Sequence, residues 1–171
     1  MALNRDPDTP DGEPSSEPRG RRLDVSDPNP GKWAELPAGE VLRRVTEPDP
    51  GGVLRWRRRP AASPVLRVED KFLTGTLNLR AVELPYLIEF VRCRFEYTPD
   101  LRQAKLAGLE FAGCWLPGVS AKNLRSDNDV ALTDSVVDGG TVDLSDADVN
   151  GSLLLVGSRL SRRDGRALHG D

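Results

Sequence analysis

From about residue 65 to residue 160, apolar positions recur at alternating intervals of two and three, and not at the 3.6-residue period of a helix. The strictest stretch is a five-residue frame: Ala104-Lys-Leu106-Ala-Gly108, Leu109-Glu-Phe111-Ala-Gly113, Cys114-Trp-Leu116-Pro-Gly118 and Val119-Ser-Ala121-Lys-Asn123. Position one is small or aliphatic, and position three is large and apolar in three of the four copies. Position five is Gly three times and then Asn. A wider frame overlies it. Gly75-Thr-Leu77-Asn-Leu79-Arg-Ala-Val82-Glu-Leu84 matches Gly140-Thr-Val142-Asp-Leu144-Ser-Asp-Ala147-Asp-Val149, and Gly151-Ser-Leu153-Leu-Leu155 repeats its start. Asn128-Asp-Val130-Ala-Leu132 fits with Asn in the Gly place, and Ile88, Phe90, Cys93 and Phe95 keep the internal spacing.

This spacing predicts short extended segments whose side chains alternate in and out. A corner residue, Gly or Asn, resets the phase after each segment by accepting positive φ. Four such segments close a square coil. Stacked coils bury their inward residues only against their neighbours. The expected fold is all-β: a right-handed quadrilateral β-helix of four or five coils, roughly 20–25 Å of stack at the spacing of neighbouring strands. Ahead of it, residues 37–47 read as a short helix, with Pro37 in the first turn and Val41, Leu42 and Val45 at helical spacing. Residues 1–31 hold six Pro, seven acids and four Arg, but only Leu3, Leu23 and Val25 among the large apolar types. They read as a disordered tail. The expected organisation is thus a tail at 1–31, a helix and Arg-rich cap at 32–64, the solenoid at 65–161, and a tail or further coil at 162–171.

At residues 68–160, and most closely at 104–123, the chain resembles the pentapeptide-repeat family, whose unit is Ala-(Asp/Asn)-Leu-x-x. The wider phrase resembles a group of long actinobacterial repeat proteins often labelled membrane-associated oxidoreductases. The resemblance implies a pentapeptide-repeat-like solenoid. It also implies two functional alternatives: imitation of DNA toward a type II topoisomerase, and the oxidoreductase activity of the label.

Composition narrows the function classes. The formal charge is −3, with 24 Lys+Arg against 27 Asp+Glu, so the chain is not a strongly basic nucleic-acid binder. No apolar run reaches the ~20 residues of a membrane span. The first residues lack the apolar core of a signal peptide, and two Cys do not make a disulfide scaffold. The expected compartment is the cytoplasm.

Candidate chemistry is sparse. The only histidine, His169, stands two positions from the end and reads as solvated. Cys93 and Cys114 occupy the small inward position, close to one coil apart along the chain, and read as core fillers in neighbouring coils. No Gly-rich phosphate motif, Cys/His metal spacing or calcium loop is present, so no cofactor, metal or catalytic residue is expected. Arg55, Trp56, Arg57, Arg58 and Arg59 form a basic and aromatic patch, which reads first as an edge strand or linker and second as a phosphate and base contact. Asp127, Asp129, Asp134, Asp138, Asp143, Asp146 and Asp148 are the candidate interaction face: a negative outer surface that reads first as charge keeping a repeat protein in solution and second as a face for a protein partner. The overall expectation is a non-enzymatic protein-interaction solenoid, free to form a homo-oligomer through an open C-terminal coil, with no direct nucleic-acid contact.

Overall fold

The computed structural model describes residues 32–46 and 65–170, together with the backbone pairing of 55–57. The expected tail at 1–31, and Arg58 and Arg59, lie outside these residues. The chain is a parallel β-solenoid of about five turns with one short helix. Each turn has four sides, and pairing between turns fixes the column on each. On side one Leu84, Leu106, Ser126 and Val149 stack. On side two the column is Leu66, Ile88, Leu109, Val130 and Leu153. On side three it is Leu36, Leu73, Phe95, Leu116, Val137 and Leu160. On side four the outward residues Asn78, Asp100, Ser120, Asp143 and His169 pair in sequence.

The five-residue frame reads directly onto this geometry. Ala104, Leu106, Leu109, Phe111, Cys114, Leu116, Val119 and Ala121, positions one and three of its four copies, are all buried. Phe90, Phe95 and Phe111 meet at the centre with ring centroids 5.2–5.7 Å apart. Phe90 and Phe111 stack, while Phe95 meets both edge-on.

The corners differ from the expectation. Positive φ is taken mainly by residues other than glycine: Asp70, Arg92 and Asp134 with Gly113 and Gly157 between sides two and three, and Ala81, Gln103, Asn123 and Asp146 between sides four and one. Left-handed backbone costs a residue with a Cβ roughly 1–2 kcal/mol. Part of that is offset locally, because Asn78, Asp100 and Asp143 each accept the N–H two positions on, at 3.1 Å, just before the corner. Gly108, in the corner place of the frame, does not have positive φ; a Cβ there would stand 2.7 Å from Leu87 Cδ1. That atom is the movable end of a side chain; the glycine that close approach does require is Gly140, where a Cβ would stand 2.2 Å from the Pro117 carbonyl oxygen.

Cys93 and Cys114 are fully buried in adjacent turns, as core fillers. They are also part of a polar ladder that the sequence reading missed. After the left-handed corner, the backbone N–H at the first inward place of side three is met by the side chain one turn on. Cys93 N–H donates to Cys114 Sγ (3.4 Å), Cys114 N–H to Ser135 Oγ (3.0 Å) and Ser135 N–H to Ser158 Oγ (3.0 Å). Each accepting group then donates to a carbonyl of the preceding turn: Cys114 to Phe90, Ser135 to Phe111 and Ser158 to Leu132. Burial, aided by Cys93, pushes the Cys114 thiol pKa up, so it keeps the proton it donates. Ser135→Ala is expected to cost about 1–3 kcal/mol in urea unfolding, because it leaves the buried Cys114 N–H without its acceptor. Ser135→Cys, which repeats the group of the two earlier turns, is expected to recover most of that loss.

The N-terminal end is closed. Helix Ala38–Thr46 lays Val41 and Val45 on the core, and Tyr86 donates its hydroxyl to Val45 O. Glu40 in its first turn binds Arg43 and Arg44 in the last, which suits both the helix dipole and the i,i+3 and i,i+4 spacing. Strand Arg55–Arg57 pairs antiparallel with Val65–Arg67 at the sheet edge. Among the described residues, nothing equivalent covers the other end.

Candidate functional site

The seven aspartates do not share a face. Arg125 pairs with Asp148, so one full turn separates these two positions, and the stretch from Asp127 to Asp148 nearly encircles the coil. Asp148 lies outward on side one, just beyond the Asp146 corner; Asp134 is at the corner of sides two and three; Asp143 is on side four. Asp143 reaches His169 of the next turn, and three more of the set tie neighbouring turns together. Asp129 Oδ1 accepts the Ser152 N–H at 2.7 Å, Asp138 Oδ1 accepts the Ser161 hydroxyl at 2.6 Å, and Asp146 stands 3.5 Å from Lys122. The outcome is a belt that runs around the fourth turn and into the fifth, not a negative row along the axis.

A shallow groove of about 540 Å³ follows the corner of sides four and one. Its rims carry Glu83, Lys105, Arg125, Asp146 and Asp148, both signs side by side. Glu83 and Lys105 close on each other at 2.8 Å, and this pair holds the Glu83 pKa below its ordinary value. On side three the outward column is Phe72, Arg94, Trp115, Val136 and Arg159, with the Arg94 guanidinium 4.1 Å above the Trp115 ring. For the Arg-rich patch, the edge pairing of Arg55, Trp56 and Arg57 agrees with an edge strand; Arg58 and Arg59 are not described.

His169 is not a loose terminal residue. Strand Leu168–His169 completes the fifth turn by pairing with Val142–Asp143, a partner so distant along the chain that no local pattern reveals it. Its Nδ1 is 3.0 Å from Ser145 Oγ and 3.7 Å from Asp143 Oδ1. Ser145 Oγ is in turn 2.5 Å from Asp143 Oδ1, which also accepts the Ser145 N–H. These bonds hold the Asp143 carboxyl below the usual range, the Ser145 hydroxyl foremost, with His169 and Lys122 adding to it. The ionised Asp143 accepts the hydrogen bond of the Ser145 hydroxyl, so His169 Nδ1–H points at the Ser145 oxygen. Serine therefore stands between carboxylate and imidazole, whereas a nucleophilic triad needs the imidazole in the middle. The cluster clamps the last strand in place.

The sign of its pH dependence follows. A depressed carboxyl pKa contributes stability that is fully present above the unfolded value, near pH 4, and lost as pH falls through the folded value. In urea midpoints measured against pH, Asp143→Asn is expected to be less stable than the parent at pH 7. The two curves should converge on the acid limb.

The last turn has a different surface from the rest. Among the described residues five large apolar side chains are exposed: Tyr97, Leu153, Leu154, Val156 and Leu168. Four of these five belong to the last turn, where Val149, Leu155 and Leu160 are also only partly covered. No later described turn meets them. No helix of the described residues is long and apolar enough to cross a membrane. Compared with known proteins, the chain matches no family model, no curated protein and no solved structure.

Proposed function

We propose that this protein is a non-enzymatic, pentapeptide-repeat-like interaction module that docks another protein end-on, through its last turn. The observation that carries this reading is the concentration of exposed Leu153, Leu154, Val156 and Leu168 on one end of a solenoid whose other end is covered by a helix. A clustered apolar surface rimmed by polar residues marks an interaction site. The end also offers unpaired strand edges, which add main-chain hydrogen bonds to the apolar contact. Imitation of DNA draws less from the geometry. A duplex presents phosphates in rows along its axis, and the belt of aspartates runs around the axis instead.

The test is a photo-crosslinking residue placed in living cells at Val156, with Arg80, outward on an early turn, as the comparison. Crosslinks to a defined protein, this chain included, are expected from position 156 and not from position 80. An equal or empty pattern at the two positions would overturn the end-on reading.

A further inference from the structure

Each turn leaves the same set of main-chain groups for the turn that follows. The N–H of the left-handed corner between sides two and three goes to a carbonyl of the next turn: Arg92 to Ala112 O, Gly113 to Thr133 O and Asp134 to Val156 O. The N–H one place on goes to the next turn's thiol or hydroxyl, along the ladder from Cys93 to Ser158. The carbonyl of that same residue accepts an outward N–H of the next turn: Cys93 O from Trp115, Cys114 O from Val136 and Ser135 O from Arg159. In the last turn the corresponding groups belong to Gly157 and Ser158, and no later described turn meets them. Beside them lie the exposed Leu153, Leu154 and Val156, and then Arg159, followed along the chain by exposed Arg162 and Arg163.

We infer that this end binds an extended peptide segment of a partner protein, laid parallel along residues 153–160 in the place of a further turn, with a sequence set by the columns it joins. This rests on the end-on reading above and names the partner's chemistry. Its inward places stack on Leu153, Leu155 and Leu160 and take apolar side chains. Its outward places on side two lie against exposed Leu154 and Val156 and take aliphatic or β-branched side chains. The next residue turns the corner in the left-handed region and is Gly, Asn or Asp. After it comes Ser or Cys, the two types already on the ladder. Its hydroxyl or thiol accepts the Ser158 N–H and donates to Leu155 O, as Ser158 itself accepts from Ser135 and donates to Leu132 O. The outward place over Arg159 takes an acid, because Arg162 and Arg163 follow close along the chain. The motif is thus four apolar residues, a left-handed corner, Ser or Cys, an acid and a last apolar residue.

The main-chain pattern selects an extended chain over a folded surface. A folded surface covers the apolar side chains but leaves the Gly157 and Ser158 groups buried without partners, which costs affinity. An antiparallel strand fails as well, because reversing its direction moves the corner and the hydroxyl away from Ser158. A parallel segment with its corner in register meets sides two and three together. Main-chain hydrogen bonds then supply affinity, and the alternate side chains supply selection.

Fluorescence anisotropy with the full chain and a labelled synthetic peptide tests this. The peptide carries Val-Thr-Leu-Val-Gly-Ser-Glu-Leu, with two lysines ahead of it for solubility. Saturable binding is expected, and hydrogen exchange at the Gly157 and Ser158 amides should slow at least about tenfold in the complex. Replacing the peptide's serine by alanine leaves the Ser158 N–H unmet and should weaken binding about tenfold. Replacing its glutamate by arginine should cost about as much, and Arg159→Asp in the protein should recover most of that loss. Thermal melts show that the Arg159→Asp chain is folded. No saturable binding up to millimolar peptide would overturn the inference. So would equal binding of the same residues in reverse order, or unchanged exchange at Gly157 and Ser158. If the peptide fails while position 156 crosslinks to a protein, the peptide inference falls and the end-on reading stands. If the peptide fails and position 156 crosslinks to nothing, both fall.

Discussion

Leu106→Asp is expected to leave the chain unable to fold. Leu106 is 1% exposed and stacks between Leu84 of the turn before and Ser126 of the turn after. The flanking Lys105 points outward to Glu83, so it offers the new carboxylate no partner inside. An unpaired buried charge costs several kcal/mol, or forces protonation at a similar cost. Whole domains of this kind hold only about 5–15 kcal/mol in reserve. Turns of a solenoid also contact only their neighbours, so a turn that fails to form uncouples those on either side. Circular dichroism and the soluble fraction read the outcome. Lys105→Ala, which breaks only an exposed ion pair screened by solvent, should melt close to the parent. A soluble Leu106→Asp protein with the parent's melting curve would show that position three of the repeat does not face inward.

Phe111→Ala is the second large effect, expected at about 3–5 kcal/mol in denaturant unfolding. The ring is fully buried and touches Phe90 below it and Phe95 across the coil. Removing it leaves a cavity that the walls cannot close. The stacked Ile88–Leu109–Val130 column is held at strand spacing by backbone pairing on both sides. Phe111→Leu keeps most of the volume and should lose less than half as much. A loss under about 1 kcal/mol for Phe111→Ala would mean that the aromatic cluster is loosely packed and that the stack draws its stability from elsewhere.

The core was legible because its rule is local. A short alternation followed by a reset is enough to mark Ala104, Leu106, Leu109 and Phe111 as inward, and Leu77 and Leu79 follow from the wider frame. The helix at Ala38–Thr46 was legible from the spacing of Val41 and Val45. What was hidden depends on the length of the turn. The aspartates between 127 and 148 look clustered in sequence, yet a turn of about that length spreads them around the coil. His169 looks terminal and isolated, but it lands on Ser145 because its strand pairs one whole turn back, with Val142–Asp143. The glycines invited a single explanation, that of corners, while Asp70, Arg92 and Gln103 occupy corners and Gly140 is held by lack of space. The thiol and hydroxyl ladder through Cys93, Cys114, Ser135 and Ser158 shows in sequence only as small residues about one turn apart. Its purpose, to satisfy the N–H left open after each left-handed corner, is visible only once the turns are stacked.

The stacking register itself is open to direct measurement by disulfide trapping. Arg125 and Asp148 are register partners on side one, whereas Asp138 ends the strand on side three of the same turn. Adjacent parallel strands put partner Cα atoms about 4.8 Å apart, inside the range a disulfide spans. The native Cys93 and Cys114 are fully buried and leave the background low. Under mild oxidation, Arg125→Cys with Asp148→Cys should form the 125–148 disulfide nearly completely in the folded protein. Arg125→Cys with Asp138→Cys should stay reduced, as read by mass spectrometry of the digested chain. An unbridged 125–148 pair, or equal bridging of both pairs, would contradict a solenoid with a turn of this length.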